Sequence, residues 1–322
     1  MMATRPISPS PVRIESLGEQ HLGEADRIFR LAFGTFLGMP EPAQFAGDSD
    51  YLRPRWRTRH CDLYGAWLED RLVGSNVGVH WGSFGFFGPL TVHPDFWDRG
   101  VGAQLVDPVV SGFDRRGIRS AGLFTFAQSA KHVNLYQKFG FWPKYLTAIM
   151  SKDVSPRPSA WPWRLYSELD PTQQAQALDQ CREITSTIYE GLDLSDEIQA
   201  ADEQRLGDTV LLDSDSGVAA FAVCHCGPGT EAGSNTCYIK FAAVRFGPAQ
   251  AEAFHAMLDA VETLAHANGV KRVVAGVNTA REEAYRQLLA RKFRTQIQGV
   301  AMQRGRDAGF NRAGVFVLDD WR

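Results

Sequence analysis

The 322-residue chain lacks any excess of basic charge, because 34 Lys and Arg against 37 Asp and Glu leave a net charge of −3. Such a surface has no field to draw nucleic acid or an anionic membrane, so neither is expected as a partner. Long apolar runs are also missing, and the opening MMATRPISPSPVRIESL carries no hydrophobic stretch behind its basic residue. The expectation is a soluble cytoplasmic protein. Cysteine is scarce: Cys61, Cys181, Cys224, Cys226 and Cys237 form an odd, scattered set, which argues against a disulfide-stapled secreted domain. Cys224-His225-Cys226 and Cys237 are zinc-ligand types, but a strand would turn His225 away from both neighbouring cysteines and the usual short ligand loop is absent. No metal is expected.

What is present is enough sequence for two cores. Apolar alternation at 13–16 and a helical pattern at 19–33 open the chain. Residues 34–60 are irregular and rich in Gly, Pro, aromatics and Arg, as a substrate-facing wall would be. A hairpin is predicted from 62–68 and 72–81 around Glu69-Asp70-Arg71, then a strand at 84–92. Helices at 102–116 and 130–139 alternate with a strand at 118–126, and a last strand ends near Met150. This order predicts a mixed α/β sheet. Three prolines within residues 153–164 mark a linker between a first domain, 1–152, and a second, 165–322.

The second half repeats the order, with helices near 172–189 and 249–268 and from about Glu282, a hairpin at 209–226, and strands at 236–244 and 270–277. One gapless shift of 152 residues lays Val92 on Val244 and Phe141 on Phe293.

The chemistry concentrates at residues 92–105, VHPDFWDRGVGAQL, where a strand turns into a helix. Gly100 and Gly102 remove side chains that would keep a phosphate from the backbone, and they permit positive φ. The first helix amides are unpaired donors at the positive end of the dipole, which suits a pyrophosphate. Arg99 can add a charge-assisted contact. A dinucleotide-binding fold is disfavoured: its glycine turn follows the first strand and needs a third glycine, whereas several strands precede this turn and Gln104-Leu105 follow it.

VHPDFWDRGVGAQL and the later SAKHVNLYQKFGF together resemble the GCN5-related N-acetyltransferases (GNAT) over about residues 12–152. The resemblance implies tandem acyl-CoA N-acyltransferase-like domains and transfer of an acetyl group from acetyl-CoA to a primary amine of a small molecule. It implies that the backbone of Leu90, Thr91 and Val92 pairs with the pantetheine arm. The amides of Arg99, Gly100, Val101, Gly102 and Ala103 would hold the pyrophosphate, and Tyr136 would protonate the leaving thiolate. Trp97 departs from the pattern, standing where the family has Arg or Gln. Ser129 stands where Asn is common, and it can still hydrogen-bond the cofactor arm.

The 152-residue shift puts Glu252 at Gly100, Phe254 at Gly102, Leu288 at Tyr136 and Lys292 at Gly140. Charge and bulk then oppose a pyrophosphate, so the second domain is read as a degenerate copy, in a tandem arrangement resembling mycothiol synthase-like acetyltransferases. The residue types leave the general base open among Asp98, Glu69, Asp70, His80 and His93, and the tail Asp319-Asp320-Trp321-Arg322 is a further candidate to reach the first domain. A non-catalytic acyl-CoA sensor and a generic nucleotide-binding module are the alternative readings. Oligomeric state is not legible.

Overall fold

The computed structural model describes residues 12–305 and 308–322. Strand β1 (Arg13–Ser16) leads into α1 (Leu22–Phe36), whose Leu22, Ala25, Ile28, Phe29 and Ala32 are buried on one face, as their three- and four-residue spacing requires. The short α2 (Arg53–Trp56) precedes the hairpin of β2 (Cys61–Leu68) and β3 (Arg71–Trp81), where Glu69 takes a positive φ in the turn. The expected single strand at 84–92 is two pieces, β4 (Phe84–Phe87) and β5 (Thr91–Val92), both paired with β3. Then come α3 (Val101–Arg115), β6 (Ser120–Thr125), α4 (Ala130–Gln137) and β7 (Trp142–Asp153).

The proline-rich stretch carries no helix or strand until β8 (Trp163–Leu165). Helix α5 (Pro171–Ile188) starts on a capping box, in which the Asp170 carboxylate accepts from the Gln173 amide and the Gln173 side chain accepts from the Asp170 amide. Next are α6 (Ser195–Glu203), which the sequence pattern did not reveal, and strands β9 (Gly207–Ser214), β10 (Gly217–Gly227) and β11 (Gly233–Val244). The chain ends with α7 (Gln250–Ala267), β12 (Arg272–Asn278), α8 (Glu282–Ala290), β13 (Arg294–Arg304) and β14 (Val317–Leu318).

The two halves share one mixed sheet, in the order β1-β2-β3-β4-β6-β13-β7-β12-β11-β10-β9-β8. Their last strands are exchanged: β13 lies against β6, and β7 lies against β12. The 152-residue shift reappears in the pairing, because Phe84 faces Ser120 in the first half and Thr236 faces Arg272 in the second, both in parallel ladders. A core on one face of the sheet runs through both halves. Trp81 of β3, for instance, meets Phe241 of β11 edge-on at 5.3 Å between ring centroids.

Candidate active site

The parallel pairing of β4 with β6 stops at Phe86 and Gly122, and beyond that point the strands diverge. On the far side of the gap β5 is still held by β3. The His93 amide donates to the Val73 carbonyl at 2.9 Å, and Thr91 stands opposite Ser75. Backbone groups alternate sides along an antiparallel strand. His93 and Thr91 therefore turn their backbone groups toward β3, whereas Leu90 and Val92 turn theirs toward the gap. The Thr91 hydroxyl is engaged as well, 3.1 Å from Ser75 Oγ. Of the three residues expected to pair with a cofactor arm, two present their backbone and Thr91 does not.

The gap opens into a cavity of about 690 Å³, within the range of small-molecule sites. At one end it meets the glycine turn. Gly100 is the N-cap of α3 with φ of 75°, a conformation that disfavours residues with a Cβ, and nothing lies within 4 Å of where that Cβ would be. Gly100, Val101, Gly102 and Ala103 line the cavity, so the first amides of α3 face it. The Arg99 guanidinium lies over the Phe96 ring, 5.1 Å from its centroid, and Arg99 is not on the cavity wall, contrary to the side-chain contact expected of it. A cation–π partner on its own turn holds it there.

Trp97 does more than leave out a phosphate contact. Its indole N–H donates to the Val92 carbonyl at 2.7 Å, one of the groups that β5 turns toward the gap. Asp98 beside it pairs with Lys131 of α4 at 2.5 Å, and the Lys131 ammonium lies 5.9 Å from the Trp97 ring centroid, so side chains of the turn before α3 and of α4 meet across the mouth.

Helix α4 supplies the opposite wall. Tyr136 is 7% exposed, lines the cavity and meets Phe87 at 5.6 Å; among the described residues no partner is found for its hydroxyl. Burial pushes its phenol well above the usual range, so it holds its proton at neutral pH. Ser129 also lines the cavity, with its hydroxyl 2.9 Å from His132 Nδ1. His132 lies one helical turn before Tyr136 on the same wall, and burial, followed by the charge of Lys131, lowers its pKa. The residue pattern had not singled out His132, which reads as one polar residue in a weakly amphipathic helix.

The candidate bases are dispersed. Glu69 and Asp70 sit at the exposed hairpin turn. His80 faces a separate recess with Arg182 and Asp193, and His93 accepts from the Asp95 amide through Nδ1. Asp98 alone of this group lines the cavity. The tail does reach the first half: Trp321 and Arg322 form part of the cavity wall, and Trp321 packs on Gly122 of β6 and on Phe84 at 5.0 Å.

In the second half the corresponding groove is filled. Strand β14 pairs with β11, Ala242 facing Leu318 and Ala243 facing Val317, and the Val244 amide donates to the Phe316 carbonyl at 3.1 Å. Phe254, at the position equivalent to Gly102, is fully buried and packs on Phe316 at 5.1 Å. The edge that β5 leaves open in the first half is taken up in β11 by the protein's own backbone. Among the described residues no group of three His, Cys, Asp or Glu is placed to hold a metal, and no helix is long and apolar enough to cross a membrane.

A strand that diverges from its parallel neighbour beside a helix N-terminus thus occurs in two copies, and only the first, capped by Gly100, is open. Residues 26–141 match the model of the acetyltransferase (GNAT) family, so the first half carries a domain similar to that family. No curated protein matches it by sequence. Among solved structures, a proposed acetyltransferase from Pyrococcus horikoshii is 15% identical with a TM-score of 0.67, over 99% of this chain and 98% of that one. A GCN5-related N-acetyltransferase from Sphaerobacter thermophilus is similar at 15% identity and TM-score 0.61, over 93% and 99%. A tandem GNAT protein from the clavulanic acid biosynthesis pathway matches at 12% identity and TM-score 0.55, over 91% and 98%. These likenesses are of fold, and they extend over both halves.

Proposed function

We propose that this protein is an N-acetyltransferase that moves an acetyl group from acetyl-CoA to a primary amine of a small molecule, binding one cofactor per chain. Residues 1–152 would be the catalytic domain, 153–164 the linker and 165–322 a degenerate partner that closes the acceptor side. The observation that carries the reading is the contrast between the two grooves. The first has an edge at Leu90 and Val92 that no strand pairs and that only the Trp97 indole touches, a glycine turn, and a tyrosine whose hydroxyl has no partner among the described residues, and the second is filled by β14.

The residues fit acetyl-CoA: Leu90 and Val92 would pair with the pantetheine arm, the amides from Gly100 to Ala103 would hold the pyrophosphate, and Ser129 would lie beside the arm. The cofactor supplies an activated acyl group on a thiol leaving group. Tyr136 would donate its phenolic proton to that thiolate, and burial keeps the proton in place until then. A backbone amide near Val92 would stabilise the oxyanion. Thiol release from acetyl-CoA with a panel of amines, together with calorimetry, tests this. Turnover that falls at least a hundredfold in Tyr136→Phe, with one CoA bound per chain, is expected; two CoA per chain would sink the reading. Binding of CoA without turnover for any amine, and indifference to Tyr136→Phe, would favour a non-catalytic acyl-CoA sensor. Equal affinity for ATP and CoA would favour a generic nucleotide module.

A further inference from the structure

Beyond the gap the cavity runs on between α1, the segment around residues 45–51 and the tail, and this end is walled by rings. Phe33 stacks on Phe45 at 5.3 Å with 13° between planes, Phe29 meets Tyr51 at 5.4 Å, and Phe36 meets Phe126 at 5.4 Å. Phe33 and Phe45 are only half-buried, and both line the cavity. Such surfaces favour a flat, polarisable body.

Charge narrows the class further. Among the described residues on the cavity wall the only side-chain carboxylate is Asp98, at the cofactor turn and paired with Lys131. A polyamine or an aminosugar with several ammonium groups would find no counter-charge among the rings and would lose its hydration there. An amino acid would need a spare cation for its carboxylate. Lys131 and Lys138 belong to the α4 wall, and at the ring-lined end the guanidinium is that of Arg322, which is 3.2 Å from the Asp320 carboxylate and lies 4.3 Å from the Tyr238 centroid. It is already neutralised and stacked.

We propose that the acceptor is an aromatic monoamine, an aryl or arylalkyl amine without a carboxylate or a second charge, whose ring lies against Phe33 and Phe45. This rests on the acetyl-transfer reading. In the reaction the amine nitrogen forms a bond to the acetyl carbon, the carbon–sulfur bond breaks, the thiolate takes a proton and the nitrogen loses one.

The test is acetyl-CoA turnover with phenethylamine, tryptamine and 4-methylaniline against spermidine, glucosamine and lysine, repeated in Phe33→Ala and Phe45→Ala. An aromatic amine is expected to exceed the polar amines at least a hundredfold in kcat/KM. Each variant should raise its KM at least tenfold while the calorimetric affinity for acetyl-CoA stays unchanged, which also verifies the fold. Polar amines turned over as well as aromatic ones would overturn the proposal. So would a preference for hexanoyl-CoA over acetyl-CoA that disappears in Phe33→Ala, because the rings would then hold the acyl chain. If no amine turns over, calorimetry of tryptamine on the CoA-loaded protein separates the two ideas: binding lost in Phe33→Ala upholds the aromatic pocket and sinks the transferase, and no binding sinks both.

Discussion

At Gly102 and Trp97 single side chains decide whether a pyrophosphate and a pantetheine arm have room. A Cβ on Gly102 would meet only Leu135 Cδ2, at an ordinary 3.5 Å, so a substitution there is tolerated by the fold while projecting into the cavity. Gly102→Glu should therefore abolish CoA binding, since a carboxylate would meet the phosphates, and leave the melting temperature within a few degrees; calorimetry beside a thermal melt checks both. Trp97 acts in the opposite sense. Its N–H occupies the Val92 carbonyl that a cofactor amide would use. Removing a competing hydrogen bond of about 1 kcal/mol should tighten CoA about fivefold in Trp97→Phe. Weaker CoA binding in that variant would show that the indole itself contacts the cofactor.

Among the elements, the short β14 separates the open groove from the closed one. Sequence comparison of the halves predicts that Glu252 and Phe254 block the second turn, and the structure adds that the tail has taken the strand edge beside it. The double substitution Glu252→Gly with Phe254→Gly should therefore leave CoA stoichiometry at one per chain and also destabilise the protein. Emptying the space of a buried Phe costs about 3–5 kcal/mol. A second CoA site in that variant, seen by calorimetry, would mean that the turn alone closes the groove. Element boundaries were mostly legible from periodicity. The break between β4 and β5 falls on Gly88-Pro89, a turn-type pair inside an otherwise strand-like FGFFGPLTV, and the departure of β6 shows that pairing fails there. Helix α6 is not legible in the sequence because its SDEIQAADE is polar and short.

Across the whole molecule, the two halves are locked by exchanged strands and by buried ions between them. Arg55 of the first half donates to both Glu231 oxygens at 2.8 and 2.7 Å, Lys240 donates to them at 3.0 and 2.8 Å, and all three side chains are at most 4% exposed. Burial works against the Glu231 carboxylate, but Arg55 and Lys240 outweigh it and hold its pKa at about 2, below the ordinary 4.5. A carboxylate whose pKa is depressed on folding adds stability above its unfolded pKa, and that stability is lost as pH falls through the folded value. The melting temperature should accordingly drop between about pH 4.5 and 2. Glu231→Gln should be destabilised by about 3–5 kcal/mol at neutral pH, because it leaves a buried cation unpaired, and should show a flatter acid limb. An unchanged limb would remove Glu231 from the acid response.

The sequence by itself determined what local rules control: the glycine turn at 100–102, the helix that follows, Tyr136 on α4, and the 152-residue repeat in which the second turn carries Glu252 and Phe254. Each depends on residue type and spacing over a dozen residues or on like segments aligned, and both are written in the chain order. Only the tertiary structure decided that Thr91 faces β3 while Leu90 and Val92 face the gap, that Arg99 rests on Phe96, that β7 and β13 change places, and that Phe316 to Arg322 fill one groove and wall the other. Those outcomes are contacts between residues up to 267 positions apart, as with Arg55 and Arg322. Which distant partner wins such a contact is settled by competition for burial and hydrogen bonds across the whole sheet, and no short stretch of sequence carries the result.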